Sequence, residues 1–241
     1  MLNILITRSE KDNIIFAKNF KNTDSKISFF NSFNLNLLDI NFDEFQQFKI
    51  VIVTSKIAAN IIANSISYPI NCYAVGKNSA KILQSNPNIT ISGSYKTIAD
   101  FKEDFLNLDD KASVIYYSGN FISFDFASIK RKIIYEIIYN QAIDVNFQKK
   151  SSEADVFVFY SCNAAKNFLH LLKKGRFLHL LSNKKIVALS NNIASLFTKI
   201  SCEILYSSDS CNDQIVSIIK WIITNQSNNQ SLAKPPFVSF L

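Results

Sequence analysis

The sequence predicts an α/β protein made of two similar α/β domains with parallel sheets, and three observations predict it. Short apolar runs alternate with stretches of helical periodicity, the pattern of strands buried on both faces between helices. The landmarks of the first half recur in the same order in the second. At 241 residues the chain has room for one large domain or two ordinary ones, and the repetition favours two.

The elements follow from the N-terminus. Leu2–Ile6 is an apolar strand, followed by a helical pattern over Asp12–Phe20. Ile50–Val53 is a second strand; it ends at a hydroxyl pair, and Ala58–Ser65 then takes helical spacing. Cys72–Val75 and the helix Ser79–Gln84 come next. Thr97 and Asp100 sit at N-cap and first-turn positions of a helix over Ile98–Leu108. In the second half Val114–Tyr117, Val156–Phe159 and Lys185–Leu189 are strands, and Ala164–Lys173, Ile193–Thr198 and Asp213–Thr224 are helices. Ser210 and Asp213 repeat the Thr97 and Asp100 signal. Polar density rises around Phe30–Asn36 and Asn140–Gln148, which suits two connections between domains. The segment 226–241, rich in Asn, Gln and Ser, has no periodicity and is expected to be a disordered tail.

The repetition is specific. Ile50-Val51-Ile52-Val53-Thr54-Ser55-Lys56-Ile57-Ala58-Ala59 is echoed by Val156-Phe157-Val158-Phe159-Tyr160-Ser161-Cys162-Asn163-Ala164-Ala165. Ala74-Val75-Gly76-Lys77-Asn78-Ser79-Ala80 is answered by Ala188-Leu189-Ser190-Asn191-Asn192-Ile193-Ala194. The start, Ile4 to Ser9, has its partner in Val114 to Asn120. With the paired helix starts, the offsets run from about 106 to 114 positions, as in an internal duplication. Two domains create a cleft, the usual place for a ligand. Hydroxyls at strand-to-helix turns cap the helix or face an anion at its free N–H groups.

Composition narrows the chemistry. The net charge of +7 favours anionic partners, yet the basic residues are dispersed, so nucleic acid is not expected. Cys72, Cys162, Cys202 and Cys211 have no C-x-x-C spacing, and His170 and His179 are the only histidines. A metal site and a Ser-His-Asp triad therefore lack support. With four glycines the chain has no G-x-G-x-x-G and no P-loop, so no nucleotide cofactor is indicated. No signal peptide or membrane span is legible, and a cytoplasmic protein with reduced cysteines is expected. An enzyme with this inventory would work by positioning and electrostatics.

The ordered motifs, strand-Thr-Arg, strand-Thr-Ser-x-x-Ala, Ala-Val-Gly-x-x-Ser-Ala, Ser-Gly-Asn and strand-x-Ser-x-x-Ala, resemble those of uroporphyrinogen-III synthase from Leu2 to about Trp221. The resemblance implies two α/β domains joined by a two-stranded linker. One would take 1–32 plus 145–225, the other 33–144. It also implies a reaction: linear hydroxymethylbilane closes to uroporphyrinogen III in haem biosynthesis, with the last pyrrole ring inverted and water lost. No cofactor is implied, and the partner is an anionic tetrapyrrole. Carried over by position, Thr7, Arg8, Thr54, Ser55, Lys56, Gly76, Ser79, Ser118, Gly119, Asn120, Ser161 and Asn163 would bind its acetate and propionate groups. Arg8 and Lys56 would be the charge partners. Some members place a tyrosine in the helix after the second Ser turn; that position here is Asn167, and Tyr160 is near it in sequence. These two are the only candidates for aiding loss of water. The second Gly-x-x-Thr has become Ser190 to Ile193. That loss favours the alternative, a non-catalytic two-domain binding protein for an anionic ligand on the same scaffold. A monomer is expected.

Overall fold

The computed structural model describes residues 1–8, 10–108, 110–122, 124–228 and 238–240. Chain order begins with β1 (Leu2–Thr7), α1 (Glu10–Ala17), β2 (Ser25–Phe29) and β3 (Phe33–Leu37). It continues with β4 (Ile50–Val53), α2 (Lys56–Ser65), β5 (Ile70–Val75), α3 (Lys77–Leu83), β6 (Ile89–Tyr95) and α4 (Ile98–Leu106). Then come β7 (Val114–Gly119), β8 (Lys130–Tyr139), α5 (Val145–Glu153), β9 (Val156–Phe159) and α6 (Cys162–Lys174). The last elements are β10 (Lys185–Ala188), α7 (Asn191–Ala194), β11 (Glu203–Ser207), α8 (Asn212–Asn228) and β12 (Val238–Phe240). Two compact units result: Met1–Asn34 with Tyr139–Leu241, and Leu35–Ile138.

Among the described residues the first unit holds a sheet of order β12-β11-β10-β9-β1-β2. It is parallel throughout except for β12, which runs antiparallel to β11. Its strands are apolar along their length because both faces are covered. Ile4 and Ile6 of β1, with Val156, Val158 and Val187, pack against Phe16 of α1 and Ile215, Ile218, Ile219 and Ile222 of α8. Leu5, Phe157, Phe159 and Ile186 point the other way, to Phe147 of α5 and Phe168, Leu171 and Leu172 of α6.

The second unit holds the order β3-β8-β7-β4-β5-β6. One face of its sheet packs Val51, Val53, Cys72, Ala74 and Ile115 on Ala58, Ala59 and Ile62 of α2 and Leu83 of α3. The other packs Ile52, Val114 and Tyr116 on Phe101 and Phe105 of α4 and on Phe126. The fold class read from the sequence is thus the one observed.

The repeats interleave. β1 lies between β9 and β2, with Thr7 opposite Phe159, and β7 lies between β4 and β8, with Tyr117 opposite Val53. The first strand of each repeat therefore joins the sheet built by the other repeat.

Several elements differ from the sequence reading. The strands β2, β3, β6, β8 and β11 and the helix α5 were not expected. β6, Ile89–Tyr95, alternates buried and exposed residues at a sheet edge, so it shows no continuous apolar run. The connection sought around Phe30–Asn36 includes strand β3, and the one around Asn140–Gln148 runs into α5. The two segments are hydrogen-bonded neighbours, with the Asn140 amide donating to the Ser32 carbonyl at 3.0 Å. At the C-terminus, 226–228 complete α8 and 238–240 form an edge strand, where disorder was expected; 229–237 and 241 lie outside the described residues. Among the described residues no helix is long and apolar enough to cross a membrane.

Candidate functional site

In an open parallel sheet, ligands sit beyond the carboxyl ends of the strands, where neighbouring strands send their connections to opposite sides. In the first unit that point lies between β1 and β9: β1 leads through α1 to β2, and β9 leads through α6 to β10. In the second it lies between β4 and β7, because β4 leads toward β5 while β7 leads to β8. Thr7, Arg8, Tyr160 and Ser161 fall at the first point. Thr54, Ser55, Ser118, Gly119 and Asn120 fall at the second.

At the β1–β9 point Thr7 is 1% exposed and its hydroxyl donates to the Val158 carbonyl at 2.9 Å, so it stitches the two strands. Arg8, one residue on, lays its guanidinium 4.0 Å from the centre of the Tyr160 ring and donates to the Asn212 side-chain oxygen at 3.2 Å. Phe16 also packs on that ring in a T-shaped arrangement, with centroids 5.7 Å apart. The chain thus holds a guanidinium in a fixed pose at the strand end, with an aromatic face beneath it. Ser161 caps α6 by accepting from the Ala164 amide at 3.1 Å; Asn163 is exposed in the first turn.

Asn167 sits elsewhere. It is buried in α6, where its amide donates to the Asn140 carbonyl at 2.9 Å and accepts from Gln141 at 3.1 Å. Both ends of the side chain fasten α6 to the segment after β8.

At the β4–β7 point Ser55 caps α2 by accepting from the Ala58 amide at 3.0 Å, as Ser161 does in its repeat. Two tyrosines that the sequence reading missed converge there. The Tyr116 hydroxyl is 2.7 Å from the Thr54 hydroxyl, and the Tyr135 hydroxyl is 2.9 Å from that of Ser55. Burial pushes both phenols above their ordinary range, countered in part by those hydrogen bonds. Gly119 lies so close to Tyr135 that a β-carbon there would be 2.5 Å from the ring. The Asn120 side chain pairs with the Ile137 backbone through both its donor and its acceptor, at 3.1 and 2.9 Å. Lys56 is exposed at the start of α2.

Gly76 takes a φ of 95°, which favours glycine, where β5 turns into α3; Ser79 is buried one turn later. Ser190, its partner in the second repeat, occupies the N-cap of α7 without a side-chain capping bond. The helix-start signal at Thr97 and Asp100 forms a reciprocal capping box. The one at Ser210 does not: Ser210 takes a φ of 52° outside α8, and Ser207 accepts from the Cys211 amide at 3.0 Å instead. Among the described residues no His, Cys, Asp or Glu cluster could hold a metal ion.

A family model described as "Uroporphyrinogen-III synthase HemD" matches residues 31–213. Among solved structures, a mutant uroporphyrinogen III synthase from the extremely thermophilic bacterium Thermus thermophilus superposes with a TM-score of 0.62 at 8% identity, covering 94% of this chain and 99% of that one. The wild-type enzyme of the same bacterium, in another crystal form, gives 0.51 at 8% identity, covering 94% and 100%. At that identity the structures speak for the fold. No curated protein matches the chain in sequence.

Proposed function

This chain belongs to the uroporphyrinogen-III synthase family, and from that premise we propose that it closes linear hydroxymethylbilane into uroporphyrinogen III. The observation that carries the reading is the family match across 31–213, together with motif residues placed at the switch point of each sheet.

The chemistry asks for conformational control. Protonated departure of the hydroxymethyl oxygen as water leaves an electrophilic azafulvene at the first ring. Attack through the substituted carbon of the last ring gives a spiro intermediate. That ring then detaches, rejoins through its other α-carbon and loses a proton. Closure at the unsubstituted position gives isomer I instead. The enzyme must therefore hold an octacarboxylate in one pose, which makes the productive attack effectively intramolecular.

Arg8 offers a fixed cation for an acetate or propionate. The amides opening α2 and α6, beyond those satisfied by Ser55 and Ser161, offer donors. Each helix-terminus contact is worth about 0.3–1 kcal/mol, so several must act together. Lys56 and Asn163 stand exposed at those helix starts. Thr7, Asn120 and Asn167 act instead through the scaffold, since their polar groups are engaged within it. Tyr160 supports Arg8 rather than supplying a proton. On this reading the protein is a hydro-lyase that works as a cytoplasmic monomer without a cofactor.

The test is a coupled assay. Purified protein is mixed with freshly generated hydroxymethylbilane, and the oxidised uroporphyrin isomers are separated. Predominant isomer III is the expected result, and isomer I alone from folded protein refutes the activity. Arg8→Ala should raise KM about tenfold, the loss of one charge-assisted contact.

A further inference from the structure

The chain has three arginines, Arg8, Arg131 and Arg176, among 26 basic residues. Two of the three place their guanidinium beside a strand that flanks a switch point, β1 or β7. Arg8 follows β1; the matching position in β7, by the register of Thr7 with Phe159 and Tyr117 with Val53, is Ser118. The second sheet receives its guanidinium from the neighbouring strand instead. Arg131 of β8 donates through Nε to the Ser118 hydroxyl at 2.8 Å. Through Nη2 it donates to the carbonyls of Gly119 at 2.6 Å and Asn120 at 3.2 Å.

Three contacts fix the plane of this guanidinium on the turn after β7. Nη1 has no partner among the described residues, and no carboxylate there pairs with the charge. A half-buried cation held by neutral acceptors alone is an unbalanced charge, and Nη1, whose two N–H groups remain open on a guanidinium of fixed orientation, is suited to a carboxylate oxygen. Lysine would serve as well for a solvated surface charge. A fixed arginine at this one place in a lysine-rich chain points to geometry rather than charge alone.

We propose that Arg131 binds a carboxylate of the linear tetrapyrrole at the end of β7; this rests on the activity proposed above.

Arg131→Gln and Arg131→Lys, with wild type, test it by steady-state kinetics on hydroxymethylbilane over a salt series, with thermal melts as the folding control. Arg131→Gln should raise KM about tenfold with kcat within about threefold of wild type. Its KM should also depend less steeply on salt, because one ionic contact is gone. Arg131→Lys keeps the charge without the fork. It should raise KM about threefold and keep the wild-type salt slope; it answers alone if Arg131→Gln does not fold. A role confined to holding the turn would lower melting temperature and kcat while leaving KM and the salt slope alone, and that result overturns the proposal. Wild-type KM in both variants overturns it too. If the wild type itself yields only isomer I, the activity fails and the inference falls with it.

Discussion

Replacing Ser55 by alanine removes two bonds made by one oxygen. The hydroxyl accepts from the Ala58 amide at 3.0 Å as the cap of α2, and it lies 2.9 Å from the Tyr135 hydroxyl. Loss of the cap costs about 1 kcal/mol. Tyr135 is 4% exposed, so its hydroxyl cannot turn to water, and a buried hydroxyl that loses this partner adds about 1–2 kcal/mol. Ser55→Ala should therefore cost about 2–3 kcal/mol. In a Tyr135→Phe background there is no phenol to strand, and the same change should cost only the cap, about 1 kcal/mol. Native-state hydrogen exchange of amides in β4 and β7 reads these values without assuming that both units unfold together. Costs for Ser55→Ala that agree within about 0.3 kcal/mol in the two backgrounds would refute the account of the tyrosine. Ser161→Ala, which removes only the matching cap of α6, should cost about 1 kcal/mol and serves as the control.

Gly119→Ala drives a β-carbon to 2.5 Å from the Tyr135 ring and should cost about 1–3 kcal/mol; exchange in β7 as slow as wild type would show that the ring yields freely. Asn167→Ala should lower stability by about 1–3 kcal/mol through its lost bonds to residues 140 and 141. Its kcat should stay within about threefold; a large fall in kcat at unchanged stability would place Asn167 in the chemistry. Cys72 is fully buried, and burial pushes its thiol from 9.0 up to about 12. The unfolded chain thus releases this proton first, so the stability it contributes is complete below about pH 9 and declines as pH rises toward about 12. Cys72→Ala should flatten that decline in denaturant melts compared at about pH 8 and about pH 10. An unchanged slope would rule the thiol out as its source.

What was legible in the sequence was what local physics dictates. β1, β4, β7, β9 and β10 stood out because strands covered by helices on both faces must be apolar throughout. Ser55 and Ser161 stood out because the repeat sets a hydroxyl at the same strand-to-helix turn in each half, where it can cap the helix, and both caps formed. The edge strand β6 escaped notice because only one residue in two is shielded there. Ser210 misled because its hydroxyl-x-x-Asp spacing matches a cap, while the backbone turns through a left-handed residue before α8 begins.

The sequence by itself determined the α/β class, the duplication and the strand-end turns, because periodicity, capping and repetition act within a few residues of chain. Only the tertiary structure decided which groups meet there. Tyr116 reaches Thr54 across 62 residues, Tyr135 reaches Ser55 across 80, and Arg131 reaches Ser118 across 13. Those meetings depend on sheet order, with β8 beside β7 and β7 beside β4. No local pattern encodes that order, since it is fixed by how two apolar cores close around interleaved repeats.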